Sequence, residues 1–253
     1  MNESKTVLFW GTMDLEALKP FPEAVQRSSD RGVKFLGAGA GDQSFMNEIA
    51  QRRVDKICKV LDIAKNLEDP HMELLLLRSC IGVPKFAFLL RMCPPEFIQS
   101  AIESLDDNIS SFLSHILNVD SISPDLRSEI ALPVRDGGLG IPMVQSLAPI
   151  QYICARRNYV LSLPPSAFLA TTADSLDDRI RAWNSEFDPR FHVEVAEVMT
   201  IKKRPQSILQ TMLHKQCRMV YWAQPLVIAR HVLYPIFRPQ QLGQQCHPSQ
   251  NSV

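Results

Sequence analysis

Residues 97–117 read FIQSAIESLDDNISSFLSHIL, and this stretch decides the fold. Phe97, Ala101, Leu105, Ile109, Phe112 and Ile116 recur at spacings of four, four, four, three and four. Side chains spaced this way share one face of an α-helix, and such a face is stable only against a core. The same period continues upstream. Phe45, Ile49, Ile57, Leu61 and Ala64 line one helix face, with Asp42 or Ser44 placed to cap its start. The opposite face carries Arg52, Arg53, Lys56 and Lys59. Between the two stretches, Asp69-Pro70 opens a helix with proline near its first position. Its run Leu74-Leu75-Leu76-Leu77 is apolar all round and is expected at the centre of the core. Gly82-Val83-Pro84 breaks that helix, a short one resumes from Pro84 to Met92, and Pro94-Pro95 punctuates again.

Downstream, Pro124 to Ile130 reads as a short capped helix, and Asp136-Gly137-Gly138-Leu139-Gly140 as a backbone-permissive loop. A helix is expected over 143–162, with Leu147, Ile150, Ile153, Cys154 and Leu161 apolar. Past a boundary at Pro164-Pro165, the weaker pattern predicts helices near 173–185, 191–200, 206–220 and 221–234. The tail from Pro239 is rich in Gln, Pro and Ser, a composition that favours disorder. At the other end, Thr6-Val7-Leu8-Phe9-Trp10 and Val33-Lys34-Phe35-Leu36 are β-branched and aromatic. They read as two short strands able to pair with each other, the second stopped by Gly37-Ala38-Gly39-Ala40-Gly41.

Composition excludes some function classes. The 253 residues are 45% hydrophobic and 21% charged, the balance of an ordinary globular protein. Twenty-seven basic residues offset 27 acidic ones, which argues against tight autonomous nucleic-acid binding but leaves room for a local basic face. Six cysteines form no Cys-x-x-Cys pair and no zinc-like cluster, so a reducing, intracellular compartment is expected, nuclear or cytoplasmic being left open. No apolar run approaches the roughly 20 residues needed to cross a bilayer, and no membrane partner is expected.

Motifs that suggest chemistry have plainer readings. Gly37-x-Gly39-x-Gly41 lies between a strand and a helix, but the sixth position is Asp42, which repels a pyrophosphate. A tight strand-to-helix turn is the simpler reading. Asp106-Asp107 and Asp177-Asp178 lie in helical patterns, where neighbouring side chains diverge, and read as solvated helix faces. Six dispersed histidines and three dispersed tryptophans form no catalytic set and no stacking platform. Arg78, Lys85 and Arg91 are candidates to extend the basic face, and Lys202-Lys203-Arg204 reads as a solvated loop.

Taken in order, several segments resemble non-LTR retrotransposon-type reverse transcriptases. Asn2-Glu3-Ser4-Lys5 resembles the Asn-x-x-Lys element that follows the catalytic aspartates. Gly32-Val33-Lys34-Phe35-Leu36-Gly37 resembles the strand and turn of the primer grip, with Gly39 standing where a proline is expected. Leu75 to Lys85 and Leu89 to Pro95 look like the helical region downstream, and Leu132 to Ile141 like the loop that closes it. The resemblance covers roughly residues 2–150. It implies a mainly α fold: a helical thumb-like bundle preceded by a short two-stranded β element, with an irregular helical C-terminal region. With the boundary at Pro164-Pro165 and the composition of the tail, the chain divides into a palm-edge element with a primer-grip-like turn (1–41), a thumb-like domain (42–163), a loosely defined helical region (164–238) and a disordered tail (239–253). The resemblance places the catalytic aromatic-x-Asp-Asp turn ahead of Asn2. No catalytic residue, metal or cofactor is therefore expected, since polymerase chemistry needs two metal ions held by those carboxylates.

Two functions follow as expectations. The first is a catalytically incomplete reverse-transcriptase fragment that binds a template–primer duplex weakly and without sequence preference. Arg52, Arg53, Lys56 and Lys59 would carry phosphate contacts, and Phe35-Leu36-Gly37 would form the primer-grip-like turn. The alternative is an α-helical interaction module that meets a protein partner through its exposed palm-facing surface.

Overall fold

The structure is a computed structural model that describes residues 31–162, 173–185, 192–201 and 205–221, together with two short backbone segments, Val7–Leu8 and Gln26–Arg27. The fold is mainly helical. Strands β1 (Val7–Leu8) and β2 (Gln26–Arg27) pair in parallel, and β3 (Gly32–Phe35) and β4 (Ala38–Gly41) form an antiparallel hairpin. Nine helices follow among the described residues: α1 (Gln43–Ala64), α2 (Pro70–Ser79), α3 (Gly82–Met92), α4 (Gln99–Leu117), α5 (Pro124–Ala131), α6 (Val144–Ser162), α7 (Ala173–Ser185), α8 (Val195–Thr200) and α9 (Pro205–Tyr221). The expected helix at 221–234 and the tail from Pro239 lie outside the described residues.

The strand pairing differs from the sequence expectation. Residues 33–36 do not pair with Val7–Leu8, which pair with Gln26–Arg27. Instead the chain reverses at Leu36-Gly37, and the alanine–glycine run read as a stop is itself strand β4, in register Val33 with Ala40 and Phe35 with Ala38. The reason is local. Positive φ at both Leu36 (50°) and Gly37 (97°) makes the mirror-image two-residue turn whose twist suits a hairpin. Closing so short a loop costs less entropy than recruiting a strand from residues 6–10. Gly39 lets the hairpin lie flat on α1, since a Cβ there would stand 3.1 Å from the Cα of Met46.

Two cores hold the helices. In the first, α4 is central: Ala101, Ile102, Leu105, Ile109, Phe112 and Leu113 are all buried, against Val54, Ile57 and Leu61 of α1 and Phe86, Leu89 and Leu90 of α3. The second joins Ile150, Ile153 and Cys154 of α6 to Leu176, Ile180 and Trp183 of α7, Val198 of α8 and Leu209 of α9. Helix α6 belongs to both, its early residues Val144 and Ala148 packing in the first. Pro149, which removes one backbone donor, stands where its burial passes from one core to the other.

The leucine run is a second correction. Only Leu77 is fully buried, and Leu75 is half in water. Four consecutive residues sweep the whole circumference of a helix, and α2 packs from one side, against α3, α4 and the short turn Lys65–Leu67 that follows α1, so part of the run must face out. The buried partner on that helix is the polar Glu73, whose carboxylate lies 3.4 Å from Nε2 of His115.

Polar side chains close the helix ends. Asp69 caps α2 through the N–H groups of His71 and Met72, and Ser123 caps α5 through that of Leu126. Buried Arg157 of α6 donates to the carbonyls of Val198, Met199 and Ile201, and so closes the C-terminus of α8 from outside. Asn184 of α7 exchanges two hydrogen bonds with the backbone of Val193, at 2.8 and 3.0 Å.

Candidate nucleic-acid interface

Helix α1 begins at Asp42, whose carboxylate accepts the N–H of Phe45 at 2.6 Å and the hydroxyl of Ser44 at 2.9 Å. These bonds, with Arg31 nearby, hold the carboxyl below the ordinary aspartate value of 3.8. With the start fixed, the rotation of the helix is set by Met46, Ile49, Ala50, Val54, Ile57 and Leu61, all turned inward. Arg52, Lys56 and Lys59 then stand exposed on the outer side, with Arg53 beside them half-buried.

The hairpin folds back beside this face. Lys34 pairs across the hairpin with Gly39, and cross-strand partners share a face. Gly39 abuts Met46 and Ile49, so Lys34 lies on the side of the hairpin that faces α1. The result is a cleft of about 370 Å³ lined by Lys34, Gly37, Ile49, Arg52, Arg53, Asp55, Lys56 and Lys59. The cleft thus gathers the four cations singled out in the sequence and, of the turn Phe35-Leu36-Gly37, Gly37 alone. Phe35 and Leu36 are not part of the lining; they stand exposed at the hairpin end.

Five cationic side chains face one carboxylate in the cleft. Arg52 is bound to Glu48 at 2.5 Å on the same helix, a surface pair that leaves it largely in water. Asp55 accepts from Gln51 at 3.3 Å. Among the described residues, Lys34, Arg53, Lys56 and Lys59 have no carboxylate within 4 Å. Four such cations around one concavity suit a ligand with several anionic oxygens, and flexible lysines hold phosphate as point charges without reading a base.

Sequence reasoning missed Lys34. The signal was present: a strand residue between Val33 and Phe35 must point to the opposite face from both. It also placed cations that the fold sends elsewhere. Arg91 donates to Gln151 of α6 at 2.9 Å, and Arg78 lies against the loop at Gly140. Neither these nor the exposed Lys85 line the cleft. Lys202-Lys203-Arg204 lies outside the described residues.

The aspartate pairs divide. Asp178 is exposed and bound to Arg181 at 2.9 Å, as a solvated face requires. Asp106 is largely buried. It accepts the N–H groups of Val144 and Gln145 at 2.8 and 2.9 Å and faces Arg127 at 3.5 Å. Burial pushes its carboxyl up, against the pull of Gln145, Val144 and Arg127. No group of three or more His, Cys, Asp or Glu able to hold a metal ion exists among the described residues. No helix among them is long and apolar enough to cross a membrane.

A second cavity, of about 330 Å³, lies where α6 and α7 meet the turn Pro95–Phe97. Its cation, Arg179, is already bound to Glu96 and lies over the ring of Tyr152 at 5.6 Å, which ties α7 to the first core. Compared with known proteins, the chain matches no family model, no curated protein and no solved structure.

Proposed function

We propose that the chain binds nucleic acid through phosphate contacts in the cleft between the β3–β4 hairpin and α1, without sequence preference. The observation that carries the reading is the convergence of Lys34, Arg53, Lys56 and Lys59 on one concave surface, with no carboxylate within 4 Å of any of them among the described residues. A chain of zero net charge has no general attraction for nucleic acid, so the attraction must be local. The order of motifs along residues 2–150 supports a further reading, that this is a retroelement reverse-transcriptase fragment whose retained role is grip, with no bond made or broken.

Anisotropy of labelled DNA titrated with the full chain tests the proposal. Binding is expected at low salt, with log K falling against log salt at a slope of about −3 on a single strand and about −4 on a duplex for four phosphate contacts. Replacing Arg53, Lys56 or Lys59 by alanine is expected to weaken binding and lower the slope by about one each. A chain that fails to bind at low salt, or binds with no salt dependence, removes the reading. A second reading, a helical interaction module, is favoured by Met72 and Leu75, which present apolar surface to water three residues apart on α2. Its mark would be a stable protein complex lost on Leu75→Glu and indifferent to Lys56→Ala.

A further inference from the structure

Two large apolar side chains stand in water at the end of the hairpin whose turn borders the cationic cleft. Phe35 ends β3 and Leu36 opens the turn; they are 59% and 77% exposed, and neither belongs to the buried core. Leu36 holds φ at 50°, a conformation that asparagine and glycine adopt easily and leucine does not. The fold gains no burial from an apolar residue at this position, so the feature points outward, to a ligand. The next residue, Gly37, lies against the Arg53 guanidinium: Nη2 is 3.5 Å from where a Cβ on Gly37 would sit. The turn therefore joins the apolar tip, at Leu36, directly to the residue that meets the Arg53 guanidinium.

Resting on the phosphate-binding reading, we infer that the cleft takes nucleic acid with unpaired bases in preference to uninterrupted duplex, a flexible strand passing from the cleft over the hairpin end so that a base face is laid on Phe35 and Leu36. Bases within a duplex have both faces covered by their neighbours, and only an unpaired base can offer one to a side chain. Electrostatics alone gives the opposite order, because a duplex carries the denser charge and releases more counterions per contact. A preference for single strands therefore reports on the apolar tip, not on the cations.

The experiment compares the full chain's binding of labelled oligothymidylate with that of a blunt hairpin duplex carrying the same number of phosphates. The single strand is expected to bind about tenfold more tightly at low salt. Phe35→Ala brings the two within about twofold, and Phe35→Trp restores the preference. Arg53→Ala combined with Lys56→Ala weakens both by a similar factor. Because the Phe35 ring is mostly in water, its alanine variant is expected to keep the wild-type thermal midpoint, which is measured alongside. Duplex bound as tightly as single strand, or a preference that survives Phe35→Ala, overturns the inference and leaves the phosphate reading standing. Failure to bind either probe overturns both.

Discussion

Asp106 accepts the backbone N–H of Val144 at 2.8 Å across 38 residues of chain. Met143, which precedes helix α6, has no side-chain oxygen to cap it, and a carboxylate on α4 accepts its first N–H groups instead. The same carboxylate faces buried Arg127 of α5, which also donates to the carbonyl of Ile141 at 2.8 Å and of Pro142 at 3.3 Å. One acid therefore ties three helices and the loop before α6. Asp106→Ala is expected to cost about 3 kcal/mol of folding stability, because it strands two N–H groups and a buried guanidinium. Asp106→Asn, which keeps an acceptor oxygen, is expected to cost about half as much. The exposed neighbour serves as control, with Asp107→Ala staying within about 0.5 kcal/mol of wild type by urea denaturation. Equal effects at the two positions would show that the cap contributes nothing.

Thiol chemistry offers an independent check on packing. Burial pushes the Cys154 thiol up to about 11 and raises that of Cys93 as well. At pH 8 a thiol titrating near 11 is about one-thousandth thiolate, the only reactive form. Cys80 is exposed at the end of α2. Brief alkylation followed by peptide mapping is expected to label Cys80 well before Cys93 and Cys154. Cys58, half-buried and raised by burial and by Asp55 and Asp62, should fall between. Early labelling of Cys154 would mean that the second core opens readily.

How much of this was legible in the sequence depends on the range of the interaction. The faces of α1 and α4 were, since a 3.6-residue period is a local property of the chain: Ile49, Ile57, Leu105 and Ile109 are buried as their spacing requires. The cap was narrowed to Asp42 or Ser44, and Asp42 takes it. The fate of Asp106 was not legible, because its partners lie 38 and 39 residues away, and a pair of aspartates on a polar face carries no mark of that. The leucine run misled for a related reason: composition says that a helix is apolar all round, but only neighbours from distant segments decide how many of its sides are covered. The cleft was half legible. The cations of α1 followed from periodicity, whereas the placing of Lys34 beside them depended on recognising Leu36-Gly37 as a turn, and leucine is a poor turn signal.

The acid response of α1 follows from its cap. Folding holds the Asp42 carboxyl below 3.8, chiefly through the Phe45 N–H and then Ser44. The folded state therefore gives up this proton more readily than the unfolded one. The resulting stabilisation is fully present above the unfolded value and is lost as pH falls through the depressed folded value. Asp42→Asn retains a capping oxygen but cannot titrate. Between about pH 5 and about pH 2, the wild-type chain is expected to lose more stability than the asparagine variant, as followed by urea midpoints. Parallel curves would show that the Asp42 carboxylate gains nothing from folding.

Leu36 brings stability and binding into opposition. A non-glycine residue in the left-handed region costs roughly 1–2 kcal/mol relative to its preferred backbone, and asparagine much less. Because Leu36 is largely in water, replacing it forfeits little burial. Leu36→Asn is therefore expected to raise the unfolding free energy by about 1 kcal/mol, whereas Leu36→Gly should gain less, since glycine also frees the unfolded chain. Substitutions that stabilise a chain at a strained, exposed site tend to cost activity there. The asparagine variant should accordingly bind oligothymidylate more weakly than wild type while binding the blunt duplex unchanged, since Lys34, Arg53 and Lys56 are untouched. A variant both less stable and equally tight on single strands would place the strain elsewhere and deprive the apolar tip of its role.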